Sequence, residues 1–545
     1  MADEEQAKPL LSSIKQTPEP SEISSIYGSV HSRGEILNDN PLRSIEDDVI
    51  PETATYGRNV TWASAYILVI SRIIGSGIFA MPGAVVKSVG SVGISLMVWA
   101  LGAIIAACEA MVTLEYGCML PRSGGDKVYL EFTYRHPRYL ASTMVAIKAV
   151  LLGFTASNCI VFGKYTLFAL DGESTDAAQK LLAVGLLTFI TIIHGCFLRT
   201  GILIQNALGW IKVVLIIFVA LTGLYVLIFR PQNTYGPTPS ADVLSWNELW
   251  RDSRWGWGIL STSIFKVSYS YAGLSNVNNV LNEVKNPVRT LKSIVPTALL
   301  TACILYLLVN LAYFVVVPLN DIKESGELIS ALFFSRVFGP GFGDKLLPLA
   351  IAISAAGNVM VVTFTLARVN QEIARQGFLP WARILSSSLP FNAPLGGLIV
   401  HYIPSVLVIV FPPSADVYAF IADVEGYPGQ FFALATAVGL IWLRYKRPDL
   451  HRPFKAWLPA VWLRIAICIT LIVAPFFPPA DGVGDVSFFY ATYAIVGIGI
   501  LVLSVLYWYV WIIVIPRWKG YRIEDEVEVL EDGTSRTRLV HIKED

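Results

Sequence analysis

The chain has 545 residues, 54% of them hydrophobic and only 15% charged, with 41 basic and 41 acidic side chains and a formal net charge of zero. So apolar a composition at this length excludes an ordinary soluble protein and places the chain in a bilayer, and the balanced charge offers nothing to nucleic acid. The cysteines Cys108, Cys118, Cys159, Cys196, Cys303 and Cys468 lie within or at the ends of apolar runs without metal-ligand spacing. They read as small buried hydrophobes, and no metal or other cofactor is expected.

Residues 1–60 are polar and rich in Ser, Glu and Pro, with no basic start leading into an apolar run. They read as a disordered cytosolic tail and not as a cleaved signal, and Lys8 and Lys15 make the tail a candidate target of the ubiquitination machinery. About twelve apolar stretches follow, each near the roughly twenty helical residues that a hydrocarbon core of about 30 Å requires. They run Trp62 to Lys87, Val92 to Leu120, Tyr139 to Leu170, Leu181 to Phe197, Ile204 to Phe229, Gly258 to Glu283, Ser293 to Val317, Leu346 to Ala374, Leu395 to Phe411, Tyr418 to Leu443, Ala460 to Phe477 and Phe488 to Val514. The fold class expected is an all-α polytopic membrane protein, with a transporter domain over residues 61–515 and a cytosolic C-terminal tail over 516–545. In that tail Val527 to Leu530 and Arg536 to Val540 flank Asp532-Gly533, the pattern of a hairpin.

Lysine and arginine bias sets the orientation. Arg122, Lys127, Arg135 and Arg138 follow the second segment, Lys285, Arg289 and Lys292 the sixth, Arg375 and Arg383 the eighth, and Arg444, Lys446 and Arg447 the tenth. These loops and both tails are expected in the cytosol. The loops holding Asp171, Glu173 and Asp176, and Asp481 and Asp485, are acidic and expected outside. Glu324 to Phe338 reads as an amphipathic external helix over the pore, a candidate lid.

Two segments are interrupted. The first breaks at Ile73-Ile74-Gly75-Ser76-Gly77-Ile78-Phe79, and about five crossings later another breaks at Tyr269-Ser270-Tyr271-Ala272-Gly273. Unwound backbone survives at membrane depth only where it lines a cavity, so paired breaks point to a binding site. The half-helix restarting at Gly75-Ser76-Gly77 offers N–H groups and a positive dipole end to a carboxylate, and the Ser76 hydroxyl adds a donor. The carbonyls of Ile73 and of Tyr269 to Ala272 suit an ammonium group. An α-amino acid satisfies both ends. Tyr269, Tyr271, Leu274 and Phe265 suggest an apolar side-chain pocket with an aromatic cap, and neither break holds a fixed acid that would favour a polycation.

Arg72, Glu109, Glu115, Lys148, Lys164, Lys212, Lys266, Arg368, Asp423 and Glu425 are ionisable residues within the apolar spans. Such groups face the bundle interior and mark function or pairing. Lys212, well inside a long apolar run, and Glu425, in Asp423-Val424-Glu425-Gly426-Tyr427-Pro428-Gly429, are the candidate coupling residues.

The chain resembles the L-type amino acid transporter branch of the amino acid-polyamine-organocation superfamily, especially its fungal methionine-permease-like members. The resemblance runs through IIGSGIF at Ile73 to Phe79, KSVGS at Lys87 to Ser91, LEYG at Leu114 to Gly117, SGGD at Ser123 to Asp126, NPVRTL at Asn286 to Leu291 and IWLR at Ile441 to Arg444. It implies a LeuT-like fold: two inverted five-helix repeats, here about 61–230 and 256–444, plus two helices over about 459–514. It also implies that Gly75, Ser76 and Gly77 hold the substrate carboxylate while Ile73, Tyr269, Ser270, Ala272 and Gly273 surround its amino group, with Tyr269 as an aromatic gate usually occupied by phenylalanine. Lys212 matches a lysine that stands in the sodium-site region of sodium-independent relatives, which implies proton coupling or exchange. Ala272 replaces a frequent glycine and Leu274 a frequent tryptophan. Animal members bond an external cysteine to a partner glycoprotein, but Asp171 to Gln179 contains no cysteine, so no disulfide-linked heavy chain is implied.

The expected function is a sodium-independent plasma-membrane permease for a neutral, large apolar L-amino acid such as methionine. The rival readings are a polyamine or cationic amino acid carrier using Glu109 or Glu425 as counter-charge, and an amino acid receptor signalling through the tail. No nucleophile and base pair or phosphate loop appears, so an enzyme is not expected.

Overall fold

The computed structural model describes residues 60–75, 77–172, 175–229, 243–391, 393–411, 417–478, 489–529 and 535–543. The N-terminal tail with Lys8 and Lys15, Ser76, Glu173, Asp481, Asp485 and the Asp532-Gly533 turn lie outside these residues. Among the described residues nine helices are long and apolar enough to cross a membrane. The other three expected crossings are the two interrupted ones and the shorter helix Leu395–Val410. The protein is an all-helical polytopic membrane protein.

The first crossing is split into α1 (Trp62–Ile73) and α2 (Gly77–Val89), followed by α3 (Val92–Met119) and the short α4 (Asp126–Thr133). Thr61 caps α1 by accepting from the Ser64 N–H, and Ser91 caps α3 by accepting from Ile94. The third crossing, expected to be continuous, is broken at Gly153 into α5 (Leu140–Leu152) and α6 (Ala156–Ala169). Its interrupted backbone finds partners across the bundle: His401 Nδ1 donates to the Gly153 carbonyl at 2.8 Å, and the Thr155 N–H donates to Ser405 Oγ at 3.4 Å. Next come α7 (Asp176–Cys196), α8 (Leu198–Phe229) and α9 (Trp257–Tyr271). After the second break the chain restarts as a 3-10 helix, Leu274–Glu283, where an α-helix was expected.

The remaining crossings are α10 (Pro287–Val316), α13 (Leu347–Arg375), α14 (Leu395–Val410), α15 (Val417–Lys446), α16 (Leu458–Val473) and α17 (Thr492–Trp508). Between α10 and α13 lie α11 (Leu319–Ser325) and α12 (Ile329–Phe338); Gly326, at φ 53°, splits the single amphipathic helix expected here. Ile329, Phe333 and Phe334 are fully buried. Strand β1 (Tyr521–Val529) pairs antiparallel with β2 (Ser535–Lys543), so the hairpin begins six residues earlier than the sequence pattern indicated, at Tyr521 opposite Lys543. Cys196 is exposed and Cys303 partly so, unlike the other cysteines, which are buried as expected.

Helix association in lipid relies on close packing and on buried polar ties more than on apolar burial. A Cβ on Gly223 would lie 2.2 Å from Ala312 Cβ, and one on Gly102 would lie 2.3 Å from Val267 Cγ1, so these helices meet almost backbone to backbone. Two sequence motifs make the main ionic tie. Glu115 of LEYG, fully buried, binds Arg444 of IWLR, with Nε at 3.0 Å, and also Arg452 at 3.5 Å and the Ala456 N–H at 2.7 Å. Removing a buried charge's partner costs about 3–5 kcal/mol. Glu115→Gln is therefore expected to lower the thermal unfolding midpoint in detergent sharply. Asp449→Asn, which breaks only an exposed pair with Arg447, should leave it unchanged.

Candidate functional site

Helix α1 runs out with the Ile74 N–H on the Ile70 carbonyl and the Gly75 N–H on the Ile73 carbonyl, both at 2.9 Å, before α2 restarts at Gly77. Helix α9 ends with the Ala272 N–H on the Tyr269 carbonyl at 3.2 Å, and Gly273 then turns the chain at φ 116°. The halves pair crosswise: α1 packs on the 3-10 helix and α2 on α9. A parallel bridge between Val60 and Val284 reinforces the first pair, and Lys266 Nζ donates to Ser88 Oγ at 3.0 Å in the second.

One side chain ties the breaks together. Tyr306 on α10 places its hydroxyl 2.8 Å from the Ile73 carbonyl and 2.9 Å from the Ser270 carbonyl, with its ring against Trp99 and Tyr271. The Ile73 carbonyl is therefore not the free acceptor expected from the sequence, because Gly75 and Tyr306 already use it. Nothing in the local pattern singled out Tyr306, since a tyrosine in an apolar helix reads as core. Its buried hydroxyl, which needs a partner, was the available signal.

The breaks also touch directly. A Cβ on Gly77 would stand 2.7 Å from Ser270 Oγ, and one on Gly75 would stand 2.9 Å from Asn358 Nδ2. Asn358 Nδ2 donates to Asn158 Oδ1 at 3.0 Å, so two amides that sequence reasoning missed border the first break. Tyr269 shares a hydrogen bond of 2.6 Å with Ser157 and meets Tyr418 edge-on, which occupies the hydroxyl that a phenylalanine would lack. Gly273 faces the stem of Arg72: a Cβ there would come within 2.7 Å of Arg72 Cγ. Lys212 on α8 is buried at 1% exposure, and the charge of Arg72 acts on both Lys212 and Glu425. Phe265, expected in the pocket wall, packs edge-on against Tyr427 and Tyr493 as well as lining the cavity.

A cavity of about 230 Å³ lies against the second break, touching Tyr269, Ala272 and Gly273. It extends toward the side carrying the basic 121–138 loop, where Asp126, Lys148 and Glu425 line it, while Gly75 and Gly77 do not. Helix α2 packs against the 319–338 segment. A Cβ on Gly83 of α2 would lie 1.8 Å from the Gly326 carbonyl oxygen, and the Phe79 carbonyl accepts from Tyr165 at 3.0 Å and from Ser330 at 2.7 Å. Lys164 pairs with Glu327 there at 3.2 Å.

The amino acid permease family model matches residues 60–501. The low-affinity methionine permease of Saccharomyces cerevisiae is 32% identical, over 96% of this chain and 95% of that protein. The high-affinity methionine permease of the same yeast is 33% identical, over 88% of this chain and 83% of that protein. The b(0,+)-type amino acid transporter 1 of Mus musculus is 27% identical, over 78% of this chain and 84% of that protein.

Tyr306→Phe removes the one hydroxyl proton that the Ile73 and Ser270 carbonyls share, worth about 1–3 kcal/mol. Hydrogen exchange at residues 74–78 and 271–275 is expected to speed up by roughly ten- to hundred-fold, with exchange in α17 unchanged. Equal protection in the variant would mean that the hydroxyl does not hold the breaks.

Proposed function

The chain belongs to the amino acid permease family, and from that premise we propose that it carries a neutral L-amino acid with a large apolar side chain, methionine first, across the plasma membrane by alternating access. The observation that supports this reading best is the meeting of the two breaks at Tyr306. It brings the N-terminal end of α2, which suits a carboxylate, beside a second break with acceptors and an aromatic wall. Gly75, Ser76 and Gly77 would hold the carboxylate, and Tyr269, Ala272 and Gly273 would surround the ammonium group, with Tyr269 as the gate and with the Ile73 and Ser270 carbonyls held by Tyr306 at its edge. The two yeast relatives, both methionine permeases, support methionine as the substrate.

Sodium independence is supported by charge. A buried Lys212 with Arg72 acting on it makes that region hostile to a further cation, which favours proton coupling or exchange with Glu425 as the second coupling group. Crossings one to five and six to ten would form the two repeats, with the basic loops in the cytosol. The structure would then stand closed to the outside with its cavity on the cytosolic side. A polycation is less suited to that cavity, because Arg464 neutralises Glu109 at 2.7 Å and Lys148 lies among the remaining acids.

Uptake of radiolabelled methionine into proteoliposomes in sodium-free buffer tests the proposal. Uptake should occur without sodium, be blocked by leucine and not by spermidine or arginine, and be abolished by Ser76→Leu in a protein that remains monodisperse. Uptake that requires sodium, or that spermidine blocks, would contradict it.

A further inference from the structure

We infer that the cavity beside the second break is a second amino acid site, separate from the helix breaks, in which Lys148 takes the carboxylate and Asp126 and Glu425 take the ammonium group. This rests on the amino acid reading above and adds a waypoint to it. Asp126 begins α4, Lys148 lies on α5 and Glu425 on α15, so three separate elements deliver charges to one void. Among the described residues none of the three forms a hydrogen bond or an ion pair with another side chain. The Lys148 ammonium rests 4.6 Å from the Phe432 ring centroid, and its charge acts on Asp126 and, together with that of Arg72 outside the cavity, on Glu425. The remaining charges of the cavity are already matched, since Glu109 pairs with Arg464 at 2.7 Å and Arg464 reaches Gln430 at 3.2 Å.

Unpaired charges in a partly desolvated cavity cost free energy that a matching ligand recovers. A simple anion meets two carboxylates here, and a polycation meets Lys148. A zwitterion satisfies all three groups, and Ala106, Leu274 and Ala433 provide apolar wall for its side chain. Because the cavity touches Tyr269, Ala272 and Gly273 but not Gly75 or Gly77, a substrate leaving the breaks toward the basic loops passes directly into it.

Equilibrium binding of radiolabelled L-methionine to the full-length protein in lipid nanodiscs tests the inference. The wild type should show a tight and a weak class. Lys148→Met and Asp126→Asn should each weaken the weak class by about tenfold or more, the worth of a charge-assisted contact, while Lys148→Arg retains it. Methionine amide, which lacks the carboxylate, should compete for the weak class about tenfold less well than methionine. A single class in the wild type overturns the second site and leaves the permease reading standing, whereas no methionine binding at all overturns both. Two classes that neither variant shifts, or loss of both classes in Lys148→Met and Lys148→Arg alike, would assign these residues a structural role and overturn the inference.

Discussion

A broken helix inside a bilayer leaves backbone carbonyls and N–H groups that lipid cannot satisfy, and the architecture depends on how this chain meets that cost. The single hydroxyl proton of Tyr306 is shared between the carbonyls of Ile73 and Ser270, so one donor stands at both breaks. The ring carrying it is packed by Trp99 and Tyr271, which fixes the hydroxyl at the crossing point. Ser270 then stands against Gly77 with no room for a Cβ, and the four half-helices settle into two crosswise pairs. The acceptors at Ile73 and Ser270 are thus taken up by a side chain of a neighbouring helix.

Much of this was legible in the sequence. The twelve crossings follow from apolar length, and both breaks follow from glycines and small polar residues where an apolar helix should continue. The motifs were visible as words whose partners were not. LEYG and IWLR meet through Glu115 and Arg444, more than three hundred residues apart, and KSVGS places Ser88 on Lys266. What stayed hidden shares one cause: the partner is distant in sequence. The break at Gly153 looked like an ordinary apolar helix because His401 and Ser405 of α14 supply its hydrogen bonds. Asn158 and Asn358 are scattered amides until the fold sets them beside Gly75. The free carbonyl expected at Ile73 failed for the same reason, since Tyr306 lies on another crossing.

Charge placement separates structure from function in the same interior. Glu115, Glu109, Lys164 and Lys266 each have a polar partner in the fold and stiffen it. Arg72 is different: its stem packs on Gly273 while its charge acts on both Lys212 and Glu425. A residue at the first break is thereby linked to the second break and to both candidate coupling groups. Any movement that separates α1 from the 3-10 helix must change that electrostatic arrangement.

Electron cryomicroscopy of the full-length protein in nanodiscs with saturating L-methionine would decide whether the paired breaks hold the substrate. Density joining the N-terminus of α2 to the Tyr269–Gly273 segment, with Tyr306 still on both carbonyls, is the expected result. A methionine-bound map with the space between the breaks empty would contradict the assignment of the site.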